Sequence, residues 1–161
     1  MKIIITGALG HIGSKIVRVL PEIFPDSEII MIDNLMTQRY VSLFDLPDKG
    51  RYQFYEANVL ETELRSIFEG GDVVLHLAAV TDAANSFQNR DQIETVNYEG
   101  TVKVAQACKE VGCPMIHLSS TSIYGTQKKV VGEDCTSDDL NPQSPYAETK
   151  LKEENFLRSL R

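Results

Sequence analysis

Short apolar runs set off by polar turns recur along most of the chain. Ile3-Ile4-Ile5 is too short for a helix and is unbroken by polar positions, the pattern of a strand covered on both faces. It gives way to Gly7, Gly10 and Gly13, then to Ile12, Ile16, Val17 and Leu20 at helical spacing, with Pro21 and Pro25 expected to end that helix. The alternation continues. Ser27 to Asp33 predicts a second strand, Met36 to Lys49 a short helix or packed loop, and Gln53 to Glu56 a third strand. Glu61 to Phe68 predicts a helix, Asp72 to Leu77 a fourth strand and Ala78 to Asn89 a loop. Asp91 to Val111 reads as a long helix and Pro114 to Leu118 as a fifth strand. Thr126 to Asn141 is a polar, acidic loop, and Tyr146 to Leu160 is a last helix. Strands separated by helix-length segments demand parallel pairing with right-handed crossovers. The expected fold is therefore α/β, a doubly wound parallel sheet. Ligands of such sheets lie beyond the carboxyl ends of the strands, where Gly7, Asp33, Asn58, Ala78 and Ser120 fall.

The opening stretch KIIITGALGHIG carries the first chemistry. Its strand, glycine turn and helix are the parts of a pyrophosphate site: the turn must be tight, the backbone must approach the phosphates, and the helix must pack close to the strand. Free N–H groups around Leu9 to Ile12, at the positive end of the helix dipole, would face the phosphates. The spacing G-x-x-G-x-x-G departs from G-x-G-x-x-G, so a glycine-rich turn that binds nothing is the competing reading. Asp33 decides between them. It ends the second strand twenty residues after Gly13, where a ribose-binding carboxylate is expected. It would accept from the adenosine 2′- and 3′-hydroxyls and repel a 2′-phosphate, which implies NAD rather than NADP.

Composition adds exclusions. The 161 residues make one domain, with 42% apolar and 24% charged residues, ordinary for a soluble globular protein. A net charge of −7 gives no general attraction to nucleic acid or anionic membrane, so an anionic cofactor must be held by local N–H groups. No apolar run reaches membrane-spanning length and the chain starts directly on a strand, so a cytoplasmic location is expected. Cys108, Cys113 and Cys135 form no C-x-x-C pair, and neither a disulfide nor a metal is assigned.

Tyr146 and Lys150 are four apart in a helix-forming stretch after Pro145, so both lie on one helical face. Such a pair means little alone. Joined to the Ser-rich strand end HLSSTSIYG and to the glycine turn, it completes a constellation. The chain resembles the extended short-chain dehydrogenase/reductase family, particularly the NAD-dependent nucleotide-sugar epimerases and dehydratases. The matching residues are TGALGHIG, IDN ending at Asn34, HLAA from His76 to Ala79, VNYEGT from Val96 to Thr101, LSSTSIYG from Leu118 to Gly125, and NPQSPYAETK from Asn141 to Lys150.

The resemblance implies a Rossmann domain over residues 1–161 that carries the catalytic residues, with the C-terminal substrate-binding part of relatives absent. It makes Tyr146 the acid/base, has Lys150 bind the nicotinamide ribose and depress the tyrosine pKa, and has Ser120 bond the reacting oxygen. It places the cofactor on Gly7, Gly10, His11, Ile12, Gly13, Asp33, Asn34, Asn58, Val59, Leu77, Ala78, Ala79, Leu118, Tyr146 and Lys150. The substrate then falls to Thr81, Ser120 and Tyr146. Relatives that dehydrate carry an acidic pair just after the catalytic Ser/Thr, where this chain has Thr121 and Ser122. That favours a UDP-sugar 4-epimerase over a 4,6-dehydratase. A dehydrogenase or reductase of a similar sugar, and a non-catalytic NAD-binding module, are the alternatives.

Of the remaining polar residues, His76 and His117 read as packed strand residues, and His11 as a donor of its backbone N–H rather than its ring. Asn97 is a candidate brace for the loop after the fourth strand. The helices Asp91 to Val111 and Tyr146 to Leu160 pair across a two-fold axis in the resembling family. Apolar residues not needed for the core, Val104, Ala107, Leu151 and Phe156, suggest a homodimer here too.

Overall fold

A computed structural model describes residues 1–83, 85–126, 131–132 and 135–160. In chain order the elements are β1 (Lys2–Thr6), α1 (His11–Ile23), β2 (Glu28–Asp33), β3 (Arg51–Glu56), α2 (Arg65–Phe68), β4 (Val73–His76), α3 (Arg90–Ile93), α4 (Gly100–Val111), β5 (Met115–His117) and α5 (Pro145–Ser159). A π-helical segment, Glu94–Glu99, joins α3 to α4. The expected loop from Thr126 to Asn141 lies partly outside the described residues; its tail holds a 3-10 turn, Ser137–Asp139.

The chain forms two compact units, Met1–Ala78 with Lys103–Leu118, and Ala79–Val102 with Ser119–Arg161. All five strands lie in the first, paired in parallel in the order β3-β2-β1-β4-β5. The order reverses between β1 and β4, the point at which a doubly wound sheet opens a crevice at its carboxyl edge. Period-2 alternation divides the apolar residues of β1 and β2 between two covered faces. Ile3, Ile5, Ile29 and Met31 pack with Ala8 and with Val17 of α1. Ile4, Ile30, Ile32 and Val74 pack with Phe68 of α2 and with Val104, Ala107 and Cys108 of α4. Each such side chain, removed from water, contributes on the order of 2 kcal/mol, which is why the strands read as near-continuous apolar runs.

Two expected boundaries differ. Pro21 does not end α1, which continues to Ile23 with Phe24 as its cap. At the start of the last turn it forfeits a single N–H bond, and its ring is buried. The helix expected from Glu61 shrinks to Arg65–Phe68 because Asn58 captures the preceding backbone. Its Oδ1 accepts from Leu60 N at 3.1 Å, and its carbonyl accepts from Glu61 N and Thr62 N at 3.0 Å. The Glu63 carboxylate then takes Arg65 N and Ser66 N at the head of α2, which holds its pKa below the usual carboxylate value.

The long helix expected over Asp91 to Val111 is present from Arg90, with the π-helical segment inserted, its residues to Val102 belonging to the second unit and those from Lys103 to the first. The Asn97 side chain turns out of it to hold Val80 at both ends: Oδ1 accepts from Val80 N at 2.7 Å and Nδ2 donates to Val80 O at 3.0 Å. The expected brace is realised. No helix among the described residues is long and apolar enough to cross a membrane.

Candidate active site

In the first unit, β1 passes into α1 through a turn that glycine alone can make. Gly7 has φ +67°, and a Cβ there would stand 2.6 Å from Ala78 N. At Gly13 a Cβ would stand 2.4 Å from the Gly7 carbonyl oxygen, so the first turn of α1 is pressed against the end of β1. Gly10 is the N-cap and no side chain caps the helix. The amides of His11 and Ile12, both exposed, are thus left for an outside acceptor at the positive helix end.

Asp33 closes the other side of this turn. Its Oδ2 accepts from Leu9 N at 3.0 Å and its Oδ1 from Leu35 N at 2.9 Å, which fixes the carboxylate at the end of β2. A carboxylate has about four acceptor positions, so each oxygen keeps one for a ribose hydroxyl. The cradle that tolerates no Cβ, the uncapped helix and the immobilised carboxylate fit an adenine dinucleotide. Asn34 serves its own turn, its Oδ1 accepting from Met36 N at 3.1 Å.

The other cofactor candidates of this unit divide. Leu77 N and Ala78 N are held by the Thr6 carbonyl and hydroxyl, so that segment runs beside the glycine turn. Asn58 spends its side chain on Leu60 N and Glu61, and Val59 packs into the core. Leu118 follows β5 and is partly exposed. His76 bonds the Thr6 hydroxyl at 2.7 Å and stacks on His117 with ring centres 5.8 Å apart, which confirms both as packed strand residues. The His11 ring faces Arg39, whose guanidinium lies 3.1 Å from Nδ1; since arginine only donates, that nitrogen is the acceptor.

The second unit carries the acid/base candidates. Ser144 caps α5, its Oγ accepting from Ala147 N at 3.2 Å, and Pro145 occupies the first turn. This aims Tyr146 and Lys150 along one face. Ser120 heads a 3-10 turn, Thr121–Tyr124, with its Oγ accepting from Ser122 N at 3.2 Å and lying 2.8 Å from Ser122 Oγ. The Ser120 hydroxyl also acts on Tyr146, pulling the phenol's pKa down. Three hydroxyls therefore form a line, Ser122 to Ser120 to Tyr146. Ala79 and Thr81 lie in the segment beside Val80, Thr81 exposed.

Two features of this unit were not anticipated. Ser122 extends the hydroxyl line. Glu153, wholly buried, places Oε2 2.9 Å from Lys150 Nζ. The expected depression of the Tyr146 pKa is correspondingly reversed among the chain's own groups. Burial, and then the Glu153 charge, push the phenol above its ordinary value, while the Ser120 hydroxyl works against them. Signals for both were present: Glu153 lies seven residues after Tyr146, on the same helical face, and Ser122 two after Ser120.

The dimer rationale needs correction. Val104 and Ala107 are 0% and 7% exposed in the core of the first unit and offer no surface to a partner. Phe156 packs edge-on against Tyr98 at 6.1 Å.

Residues 3–161 match the NAD dependent epimerase/dehydratase family. A Bacillus subtilis protein named as an uncharacterised UDP-glucose epimerase is 32% identical over 97% of this chain and 50% of its own length. A dTDP-D-glucose 4,6-dehydratase of Dictyostelium discoideum is 31% identical over 98% of this chain and 40% of its own length. The solved UDP-glucuronic acid 4-epimerase of Bacillus cereus, in complex with UDP-glucuronic acid and NAD, is similar with a TM-score of 0.87 at 31% identity, over 99% of this chain and 52% of that one. The chain spans about half the length of the curated relatives it matches.

Proposed function

The chain belongs to the NAD dependent epimerase/dehydratase family, and from that premise we propose that it is the cofactor-holding and acid/base part of a nucleotide-sugar 4-epimerase. The observation that carries the reading is the line of hydroxyls from Ser122 through Ser120 to Tyr146, on the helix that also holds the buried Lys150 ammonium. NAD, when bound, supplies a hydride acceptor that can return what it takes. The uncapped end of α1 and the Asp33 carboxylate bind and orient it. Tyr146 Oη takes the proton of the sugar C4 hydroxyl, and Ser120 donates a hydrogen bond to the resulting carbonyl oxygen. After the sugar presents its other face, Tyr146 returns the proton to the same oxygen.

A 4,6-dehydratase is the second reading, favoured by the similarity to the Dictyostelium protein. It requires a further acid/base pair for loss of water, and the hydroxyls of Thr121 and Ser122 are weak candidates at neutral pH. Incubation of the purified protein with UDP-hexoses and no added NAD tests both. Formation of the C4 epimer, lowered by Tyr146→Phe by about 10²–10⁴-fold, supports the epimerase. A 4-keto-6-deoxy product would replace it with the dehydratase. Consumption of added NAD in proportion to product would mean a dehydrogenase.

A further inference from the structure

The helix face that bears Tyr146 and Lys150 bears a third ionisable group. Glu153 follows Lys150 by three residues and Tyr146 by seven, so at 3.6 residues per turn the three stack along one side of α5. Glu153 is 0% exposed and Lys150 4%, and Glu153 Oε2 accepts from Lys150 Nζ at 2.9 Å and from Thr101 Oγ1 of α4 at 3.4 Å. Burying two charges is costly, and well-packed apolar residues of similar size are often as stable or more so. Packing alone gives no reason for a carboxylate at this position. Its placement, with Lys150 between it and the hydroxyl-bearing end of the helix, supplies one.

We propose that Glu153 is a positioning residue of the acid/base site: anchored on Thr101, it holds the Lys150 ammonium on the Tyr146 face of α5 and balances its charge. The inference rests on the reading of Tyr146 as the acid/base, and its test needs no turnover. With the pair neutral overall, Lys150 does not by itself draw the proton off Tyr146. Burial and the Glu153 charge raise the phenol's pKa, against the single downward pull of the Ser120 hydroxyl. Of the other charged groups on the elements packed against α5, Asp91 and Glu99 are exposed, and Arg90 and Glu94 are paired at the surface. Arg90 of α3 pairs with Glu148, and Glu94 of the π-helical segment with Lys152, all four more than a third exposed. Tyr124 of the 3-10 turn lines a separate cleft with Leu151, Glu154 and Arg158, and Arg158 pairs there with Glu154. From α4 the Thr101 hydroxyl faces Glu153.

Glu153→Gln keeps the shape and a hydrogen-bond acceptor while removing the charge. The ionisation of Tyr146 is followed by the chemical shift of its ring carbons in protein labelled at tyrosine, with Tyr146→Phe identifying the signal. Glu153→Gln should move the transition to lower pH by about one unit, tenfold more phenolate at a given pH. Glu153→Asp, which retains the charge, should return it toward the parent. A transition that stays at the parent pH in Glu153→Gln, with only thermal stability altered, would reduce Glu153 to a packing role and overturn the proposal. Should Glu153→Gln not fold, the double variant Lys150→Gln/Glu153→Gln, balanced like the parent, is compared instead. A transition within about half a unit of the parent supports the proposal. A clear rise would show Lys150 acting uncompensated and overturn it. Failure to find any UDP-sugar turned over leaves these titrations intact, so the two readings fail separately.

Discussion

Gly13→Ala puts the dinucleotide cradle to a severe test, because one methyl group is asked to enter space that backbone already fills. The new Cβ would lie 2.4 Å from the Gly7 carbonyl oxygen and 2.7 Å from that of Ala8. A Cβ essentially never comes within 3.0 Å of another heavy atom, and neither neighbour is the end of a flexible side chain. Helix α1 must lift from β1 by most of an ångström, which separates Val17 from its partners Ile3 and Ile5. Overpacking of this kind costs about 1–3 kcal/mol, occasionally more. Alanine's helix propensity returns at most about 1 kcal/mol. For a chain of this length the net loss lowers the melting temperature by roughly 2–4 °C per kcal/mol. The same displacement carries the free amides of His11 and Ile12 away from the position set by Asp33. NAD affinity, measured by titration calorimetry, should fall by at least about tenfold, the equivalent of ~1.4 kcal/mol. Gly10→Ala is the control for stability: its Cβ would stand 3.2 Å from the Gly7 oxygen and its φ of −64° suits any residue. That variant should melt within about 1 kcal/mol of the parent. A Gly13→Ala protein that melts with the parent and binds NAD as tightly would refute the close-approach argument.

Asp33→Ala removes the acceptor for Leu9 N and Leu35 N at once, and should cost about 1–3 kcal/mol in chemical denaturation along with most of the NAD affinity. A variant as stable as the parent would mean that water replaces the carboxylate there. Burial pushes the Cys108 thiol up to about 12. The folded state therefore keeps its proton where an unfolded chain would start to lose it. Its contribution to stability is complete below about pH 8.5 and declines as pH rises toward the folded value. At pH 8 an alkylating reagent should modify the partly exposed Cys135 and spare Cys108 until the protein unfolds, as read by peptide mass mapping. Early labelling of Cys108 would contradict its burial.

Much of the first unit was legible because a strand covered on both faces leaves a plain signature. Ile3-Ile4-Ile5 and Ile29 to Ile32 have nowhere to go but inside, whichever way each side chain points. The glycine turn and Asp33 were equally plain, since backbone approach and a carboxylate at a strand end constrain residue type directly. Helix lengths were not. Periodicity measures the apolar face, whereas the ends are set by individual hydrogen bonds such as those Asn58 makes to Leu60 N and Thr62 N. Val104 and Ala107 were misread for a related reason. Helical spacing gives a face but not the neighbour it meets, and here that neighbour is the sheet. Glu153 was hidden by its type, because an acidic residue in a helix rich in Glu and Lys reads as solvated until Lys150 and Thr101 are seen around it.

The clasp of Asn97 on Val80 limits what evolution or design can place at that point. Its amide imitates a peptide group, offering an acceptor to the Val80 N–H and a donor to the Val80 carbonyl, as a neighbouring strand would. Aspartate would turn an oxygen toward the Val80 carbonyl and repel it, while leucine would leave both backbone groups bare. Position 97 is thus a one-residue strand partner, and through it the stretch that begins at Val80 borrows the order of a sheet without joining one.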